Sequence, residues 1–495
     1  MRRVMLVFLW AAAANAQLIE RCNWGVGQLA PQIWTGRNQV MMMPVTMDFT
    51  SPASGNSQIA FVSFEGGAEV SGDKGGVLRV IDAKCREIAQ FPPPAPTGPI
   101  PPSCPSNIYS HFLSPLSTLA AGNVDSTPDV EIIAVLDEAT TPNHQQIVAL
   151  NLKANPLRLV PKWCSQHLPL GDSIAPVSAI AIAQLDRPHP ANNPVEIIID
   201  NKVYNSNGTL RYNGNCPACS RSRTPLVTKF LGPASRPQII TGRGAYRSNP
   251  ISAPAWAGTP WWTATAVNNG SLGYSAVANL DSIGQPEIVV VDTINGKLDI
   301  LNTAGVLLAS DSLGGQCGGP PMIGDADGVP GPEIGVATCS EYRLYKYAGS
   351  LSQVWPSKQI GDPSGQTASV MINTPTGARI FYADASTLWV FNGATGAVLQ
   401  QIPNSSATGI EGPAIAASFP NGGPASVIVA ANNYLNSAGQ TGVRIFDDPT
   451  LGPARSFWNQ YNYHGTNVLT PNGAIPVTEQ PNWQAHNTYR VQQWP

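Results

Sequence analysis

Residues able to do chemistry are sparse in this chain and do not gather into a catalytic signature. The six histidines (His111, His144, His167, His189, His464, His486) are scattered, with neither an HExxH motif nor the i, i+4 pair that zinc hydrolysis needs. A GxSxG nucleophile elbow and a P-loop are both missing, which excludes the α/β-hydrolase and P-loop NTPase classes. The stretch GRGAYR, from Gly242 to Arg247, lacks the third glycine of a dinucleotide loop. Paired carboxylates for glycoside chemistry leave no such trace, because the two acids meet in space and not in sequence. A polysaccharide-active lyase or hydrolase, with its site in a channel, therefore stays open as an alternative function. Near the C-terminus, Trp458, Asn459, Tyr461, Tyr463, His464, Trp483 and His486 set rings beside amides and imidazoles. That composition would suit stacking on sugars, but the preferred reading is a clasp packed across the propeller that caps the end of a repeat array. Arg221, Arg223, Arg236, Arg243 and Arg247 form the one basic concentration; an acidic polysaccharide would need such a patch, and a solvated face accounts for it as well.

The elements that must position these residues are strands. Of 495 residues, 43% are hydrophobic and only 12% charged, against a usual charged share of about 25%, so helices laced with salt bridges are not expected. The 46 glycines and 46 prolines stay below the roughly 25–30% that marks low-complexity disorder. A formal charge of −3 disfavours a protein that tracks nucleic-acid phosphates. Arg2 and Arg3 precede the apolar run Val4 to Trp10, and Ala14-Asn15-Ala16 supplies a cleavage site before Gln17, so residues 1–16 read as a signal peptide and the mature protein as secreted. No later stretch has the length of a membrane span. Eight cysteines, all beyond that site, suit disulfides in an exported chain. Proximity favours Cys317 with Cys339, Cys216 with Cys219, and Cys85 with Cys104. The Cys216-Pro-Ala-Cys219 run also has the spacing of half a zinc knuckle or a thiol redox motif, but no second CxxC or paired histidine follows.

A short β-type run recurs eight times, anchored at Gln58, Glu131, Glu196, Gln238, Glu287, Glu333, Arg379 and Ser426. The last five intervals lie between 42 and 49 residues, and the first two carry insertions, among them the proline-rich Phe91 to Pro102, which reads as a surface loop. Residues 273–308 show the unit best: GYSAVANLD, a turn, PEIVVVD, a turn, and KLDILNTAG. About four short strands in 40–50 residues is one blade of a propeller, whose sheets bury their faces only against neighbours. The fold expected is all-β, a β-propeller of seven to eight four-stranded blades, over residues 17–454. Closure requires the segment near Trp24 to Trp34 to pair with the final strands around Val443 to Phe446 and Phe457.

The stretches AGNVDSTPDVEIIAV, IAQLDRPHPANNPVEIII, VANLDSIGQPEIVVV and IGDADGVPGPEIGVA resemble the FG-GAP or VCBS-type repeat of integrin-α-like propellers and of many secreted bacterial proteins. The run from Arg455, RSFWNQYNYHGTNVLTPNGAIPVTEQPNWQAHNTYRVQ, is similar to the closing segment of a bacterial subset, and residues 455–495 are read as a closing segment packed on the propeller. The resemblance implies a secreted, non-enzymatic propeller for adhesion or binding, with an extracellular protein or polysaccharide as ligand; a structural scaffold of a surface assembly is a further alternative. It also implies calcium, held by loop oxygens at positions 1, 3, 5 and 9. Here Asp325, Asp327 and Glu333 hold three of these positions with Val329 at the fourth; Asn279, Asp281 and Glu287 remain beside Ile283; Asn123, Asp125 and Glu131 remain beside Thr127. A hard cation wants six to eight oxygens, so these are weak, degenerate calcium loops whose ion would be structural. The same side chains cap turns without metal by accepting backbone N–H bonds.

Overall fold

The computed structural model describes residues 17–25, 34, 36–51, 53–66, 75–95, 98–125, 127–137, 146–166, 178–185, 195–200, 202–213, 224–242, 244–247, 261–264, 273–407, 409–417, 423–434 and 438–492. Residues 1–16, Cys216, Cys219, Arg221, Arg223 and Arg243 lie outside them. The strands form eight sheets, one for each anchor, and they are the blades of an eight-bladed β-propeller.

Blade 1 holds Gln39–Val40 and Val45–Met47 as its broken inner strand, then Gln58–Phe64, Val77–Ile81 and Glu87–Phe91. Blade 2 follows with Phe112–Leu113 and Ala120–Gly122, Glu131–Asp137, Ile147–Lys153 and Arg158–Cys164. Blade 3 is Ile180–Ala183, Glu196–Ile199, Lys202–Tyr204 and Leu210–Asn213, and blade 4 is Leu226–Thr228, Gln238–Thr241, Gly244–Arg247 and Trp262–Thr263. Blade 5 runs through Tyr274–Ala278, Glu287–Asp292, Lys297–Leu301 and Leu307–Ser312; blade 6 through Met322–Gly324, Glu333–Ala337, Glu341–Tyr347 and Leu351–Gln353. Blade 7 comprises Ser369–Thr374, Gly377–Ala383, Thr387–Asn392 and Val398–Pro403. Blade 8 takes three strands from the end of the repeats, Ala414–Ala417, Ala425–Ala431 and Gly442–Asp447, and its outer strand, Ile19–Trp24, from the start of the described chain.

That last pairing closes the ring. Trp24 stands opposite Val443 and Ile19 opposite Asp447, as closure of a propeller requires, and the Cys22–Cys85 disulfide ties the closing strand on to blade 1. A second disulfide, Cys104–Cys164, staples the proline-rich insertion to the outer strand of blade 2, and a third joins Cys317 to Cys339. The pairing of Cys85 with Cys104 expected from proximity is therefore corrected. Each of the two finds a partner about 60 residues distant, because ring closure and insertion anchoring bring remote strands within reach.

Why the second strands read as apolar runs and not as alternating ones follows from burial on both faces. In blade 2, Ile132, Ala134 and Leu136 pack towards blade 1, while Ile133 and Val135 pack towards Ile180, Ile182 and Ile197 of blade 3. The period of two is intact, but both sets of side chains meet an apolar neighbour. The outer hairpins lock consecutive blades by another device. The turns at Gly305 (φ +79°) and Gly396 (φ +65°) lie under the rings of Trp262 and Trp355 from the preceding blades, so close that a Cβ would stand 2.5 Å from ring carbons. Each indole N–H also donates to a carbonyl of the turn it covers, Trp262 to Thr303 at 3.0 Å and Trp355 to Gly393 at 2.9 Å.

Candidate functional site

The loops between inner and second strands carry the metal candidates, and their anchor residues share a role independent of metal. In six blades the first residue of the second strand accepts a backbone N–H from the loop just ahead of it. Gln58 accepts from Phe49 at 2.7 Å, Glu131 from Val124 at 3.0 Å, Glu196 from Leu185 at 2.9 Å. Gln238 accepts from Phe230 at 3.0 Å, Glu287 from Leu280 at 2.8 Å, and Glu333 from Ala326 at 2.7 Å. A glutamine oxygen serves as well as a glutamate's, which is why both occur at this position. Blades 7 and 8 depart from the pattern: Arg379 pairs with Asp448 at 2.6 Å, and Ser426 donates to Asp447 at 2.7 Å.

In blade 6, Asp325, Asp327 and Glu333 place carboxylate oxygens within 4.8 Å of one another, close enough to share a cation. A cation stands there already. The Lys346 ammonium lies 2.7 Å from Glu333 Oε1 and 3.5 Å from Asp327 Oδ2. Loop N–H groups engage one oxygen of each aspartate, Asp325 accepting from Gly328 at 2.7 Å and Asp327 from Val329 at 2.8 Å. Burial works to lower the Lys346 pKa, but Glu333 and Asp327 together carry it above its ordinary value. A calcium ion shared by these three carboxylates would have to displace this ammonium.

Blade 2 repeats the arrangement with a lysine from its outer strand. Lys162 lies 2.5 Å from Asp125, 2.7 Å from Glu131 and 2.8 Å from the Thr127 hydroxyl. That hydroxyl, a candidate ligand by sequence, donates instead to Asp125 at 2.6 Å. Asn123 is likewise turned to its own loop, donating to the Thr127 carbonyl. In blade 3, Arg211 reaches Glu196 at 2.5 Å. Blade 5 differs. Asn279 is engaged through its backbone, which exchanges hydrogen bonds with the Asn487 side chain at 2.7 and 2.8 Å. Asp281 accepts the Ile283 N–H at 2.8 Å, and Glu287 has no ion-pair partner among the described residues. Burial, reinforced by the like charge of Asp281, pushes the Glu287 carboxyl up to about 7. In blades 2, 3 and 6 a side-chain cation thus stands beside the anchor carboxylate, whereas in blade 5 none does and burial raises the Glu287 pKa.

The second candidate region, the aromatic tail, lies inside the molecule. Trp458, Asn459, Tyr461, Tyr463, His464 and Arg490 are each at most 2% exposed, and residues 458–492 reach the inner edge of every blade in turn. Trp458 exchanges both backbone bonds with Thr46 of blade 1 at 2.9 Å. Ala121 of blade 2 donates to Asn459 O at 2.8 Å, and Ile182 of blade 3 to Gln460 Oε1 at 3.0 Å. Asn462 donates to Pro225 O beside blade 4 at 2.8 Å, and Asn487 holds blade 5. Tyr489 exchanges bonds with Ile323 of blade 6, Val491–Gln492 adds a parallel strand to blade 7, and Gln492 donates to Ile415 O of blade 8. The inner strands touch in sequence from blade 1 round to blade 8, where Gln39–Val40 of blade 1 meets Ala425–Ala431 of blade 8, so this segment, bonded to their inner edges, runs along the channel they enclose. Tyr463 stacks on Trp458 with centroids 4.3 Å apart, and the Arg490 guanidinium sits 4.1 Å from the Tyr461 ring centroid. The His464 imidazole meets Glu479 at 2.7 Å, both nearly inaccessible. These rings are spent on one another and on the blades, so they offer no open face to a sugar. Sequence reasoning weighs a sugar-stacking face against a closing clasp for these residues and favours the clasp, and their burial against the blades fits the clasp.

No protein-family profile matches the chain, and no curated protein matches it significantly in sequence. Among solved structures it is similar to the V. cholerae biofilm matrix protein Bap1, with 16% identity, 97% of this chain and 99% of that chain covered, and a TM-score of 0.73. A looser likeness joins it to the rhamnogalacturonan lyase YesW, with 11% identity, 88% and 70% covered, and a TM-score of 0.42, too loose to place a site. At 16% identity the likeness to Bap1 speaks to the fold, which is shared from end to end.

Proposed function

We propose that this protein is an exported, non-enzymatic propeller of the FG-GAP/VCBS type that binds an extracellular protein or polysaccharide. The observation that carries the reading is the occupied channel. A propeller enzyme works at its axis, and here the axis is taken by residues 458–492, hydrogen-bonded to all eight blades. The three disulfides among the described residues suit an oxidising compartment. No helix among the described residues is long and apolar enough to cross a membrane. The full-length likeness to a biofilm matrix protein supports a matrix role over catalysis. Lys162, Arg211 and Lys346 balance the loop carboxylates of blades 2, 3 and 6, and any calcium these degenerate loops hold is structural.

Co-sedimentation of the mature protein with insoluble polysaccharides and whole cells, with Ca²⁺ or EDTA, tests this. Retention without released sugar, equal under both conditions, is expected. Released sugar would make the protein an enzyme and overturn the reading.

A further inference from the structure

Around Lys162 of blade 2 an amine, a carboxyl group and a second carboxyl able to move protons between them stand in contact. The Lys162 nitrogen, on the outer strand Arg158–Cys164, lies 2.5 Å from Asp125 Oδ2 in the loop ahead of the second strand, and 2.7 Å from Glu131 Oε1. Glu131 is fully buried and fixed by two further bonds, Asn151 Nδ2 donating to Oε1 at 2.9 Å and the Val124 N–H to Oε2 at 3.0 Å. The other Asp125 oxygen, Oδ1, accepts twice from Thr127, from its N–H at 2.7 Å and its hydroxyl at 2.6 Å. Donors on one carboxyl oxygen and a nitrogen against the other make the arrangement of an acyl-transfer site, where charge gathers on the held oxygen. Blade 6 repeats the trio without completing it. Lys346 lies 2.7 Å from Glu333 but 3.5 Å from Asp327. Val329 stands where blade 2 has Thr127, and offers Asp327 Oδ1 an N–H but no hydroxyl.

We propose that Lys162 and Asp125 join in an intramolecular isopeptide bond, with Glu131 as the proton carrier; the structure shows the groups as reactants. Asp125 and Glu131 raise the Lys162 pKa although burial works to lower it, so the amine is freed inside the cluster and not by solvent. One proton crosses from Nζ to Asp125 Oδ2, leaving a neutral amine against a carboxylic acid. Nζ attacks Cγ, and the charge that develops on Oδ1 rests between the two Thr127 donors. Glu131 takes a second proton from the nitrogen and passes it to Oδ2. The Cγ–Oδ2 bond breaks, water leaves, and the Nζ–Cγ bond remains as an amide. An ammonium and a carboxylate thus give one amide and one water, with no oxidant, reductant or activating group. Oriented reactants reach effective concentrations of about 10⁵–10⁸ M, which favours condensation that free groups in water do not undergo. The bond would tie the loop ahead of the second strand to the outer strand of the same blade, two residues from Cys164 and its disulfide, and reducing agents would not open it.

Tandem mass spectrometry of a digest of the full chain, reduced and alkylated, decides the matter. The wild type is expected to yield a branched peptide that joins the Asp125 and Lys162 segments and is one water lighter than their sum, while the Lys346 and Asp327 segments of blade 6 appear only unlinked. Lys162→Arg is expected to abolish the branched peptide. Glu131→Gln keeps an oxygen for the Val124 N–H, as Gln58 and Gln238 do in their blades, so it separates proton transfer from loop anchoring. With its fold checked by circular dichroism, it is expected to link about a hundredfold more slowly, followed by mass as protein is harvested over time. Thr127→Val, which gives the loop the blade 6 residue, is expected to link about tenfold more slowly. Wild-type segments found only as separate peptides would overturn the proposal. A branched peptide lighter by one ammonia, and so formed on an asparagine, would overturn the assignment to Asp125. Linkage in Glu131→Gln as fast as in the wild type would overturn the role of Glu131.

Discussion

Replacing Glu287 by glutamine tests how the loops are balanced. Wild-type Glu287 is 6% exposed, has no cation beside it, and its carboxyl is raised from the ordinary 4.5 to about 7. Below pH 4.5 folded and unfolded chains both hold this proton, and the site contributes nothing. Between pH 4.5 and about 7 the unfolded chain releases it while the folded chain keeps it, so stability falls as pH rises. Above about 7 the whole penalty is present, about 3 kcal/mol by the linkage between pKa and free energy. Glutamine cannot ionise, yet keeps the oxygen that accepts the Leu280 N–H, as Gln58 and Gln238 do in their own blades. Glu287→Gln is therefore expected to match the wild type at pH 4 and to exceed it at pH 8 by up to about 3 kcal/mol. At roughly 2.1 cal/mol/K per residue over a chain of this length, that is a melting-temperature rise of about 3 °C. Thermal melts of both proteins from pH 4 to 8, with and without EDTA, provide the assay. A variant less stable than the wild type at pH 8 in Ca²⁺, with the difference abolished by EDTA, would refute the reasoning, because the carboxylate would then be ionised on a metal.

Further outcomes follow from the same geometry. Lys346→Met removes a hydrogen-bonded ammonium from Glu333 and should cost about 1.5–3 kcal/mol, and isothermal titration should then show millimolar Ca²⁺ binding that the wild type lacks. Gly305→Ala forces a Cβ to within 2.5 Å of the Trp262 ring at φ +79°; denaturant melts should show a loss of about 1–3 kcal/mol, accompanied by a changed indole emission. Replacing both Cys22 and Cys85 by alanine frees a loop with a sequence separation of 63, which on the chain-entropy account lowers stability by about 4 kcal/mol; urea unfolding measures it, and the closing strand Ile19–Trp24 should become the first site of proteolysis.

Local features of the chain carried much of this. The eight anchors from Gln58 to Ser426 mark eight second strands, because a strand buried on both faces must be apolar throughout, and in six blades it begins at a residue that pins the preceding loop. The unit around Gln238 is a complete four-stranded blade; its outer strand is only two residues long, too short for a periodic signal. Closure through Trp24 and Val443 was legible because a repeat array with unpaired ends must join them.

What only the tertiary structure decided are the contacts between residues far apart in the chain. Lys162 sits 31 residues from Glu131, and it takes the cation position because blade 2 folds its outer strand back beside the loop. Cys22, Cys85, Cys104 and Cys164 were paired by ring closure and by the path of an insertion, and nearness in sequence was no guide. The aromatic tail reads the same whether it faces a sugar or a channel wall. Burial of Trp458, Tyr461 and Tyr463 follows from eight inner strands leaving an axial space that the C-terminal segment enters, bonding its backbone and amides to their inner edges. Spacing along a chain records which strands exist and in what order, whereas charge balance, disulfide partners and the filling of the axis depend on distances that arise only when the ring has closed.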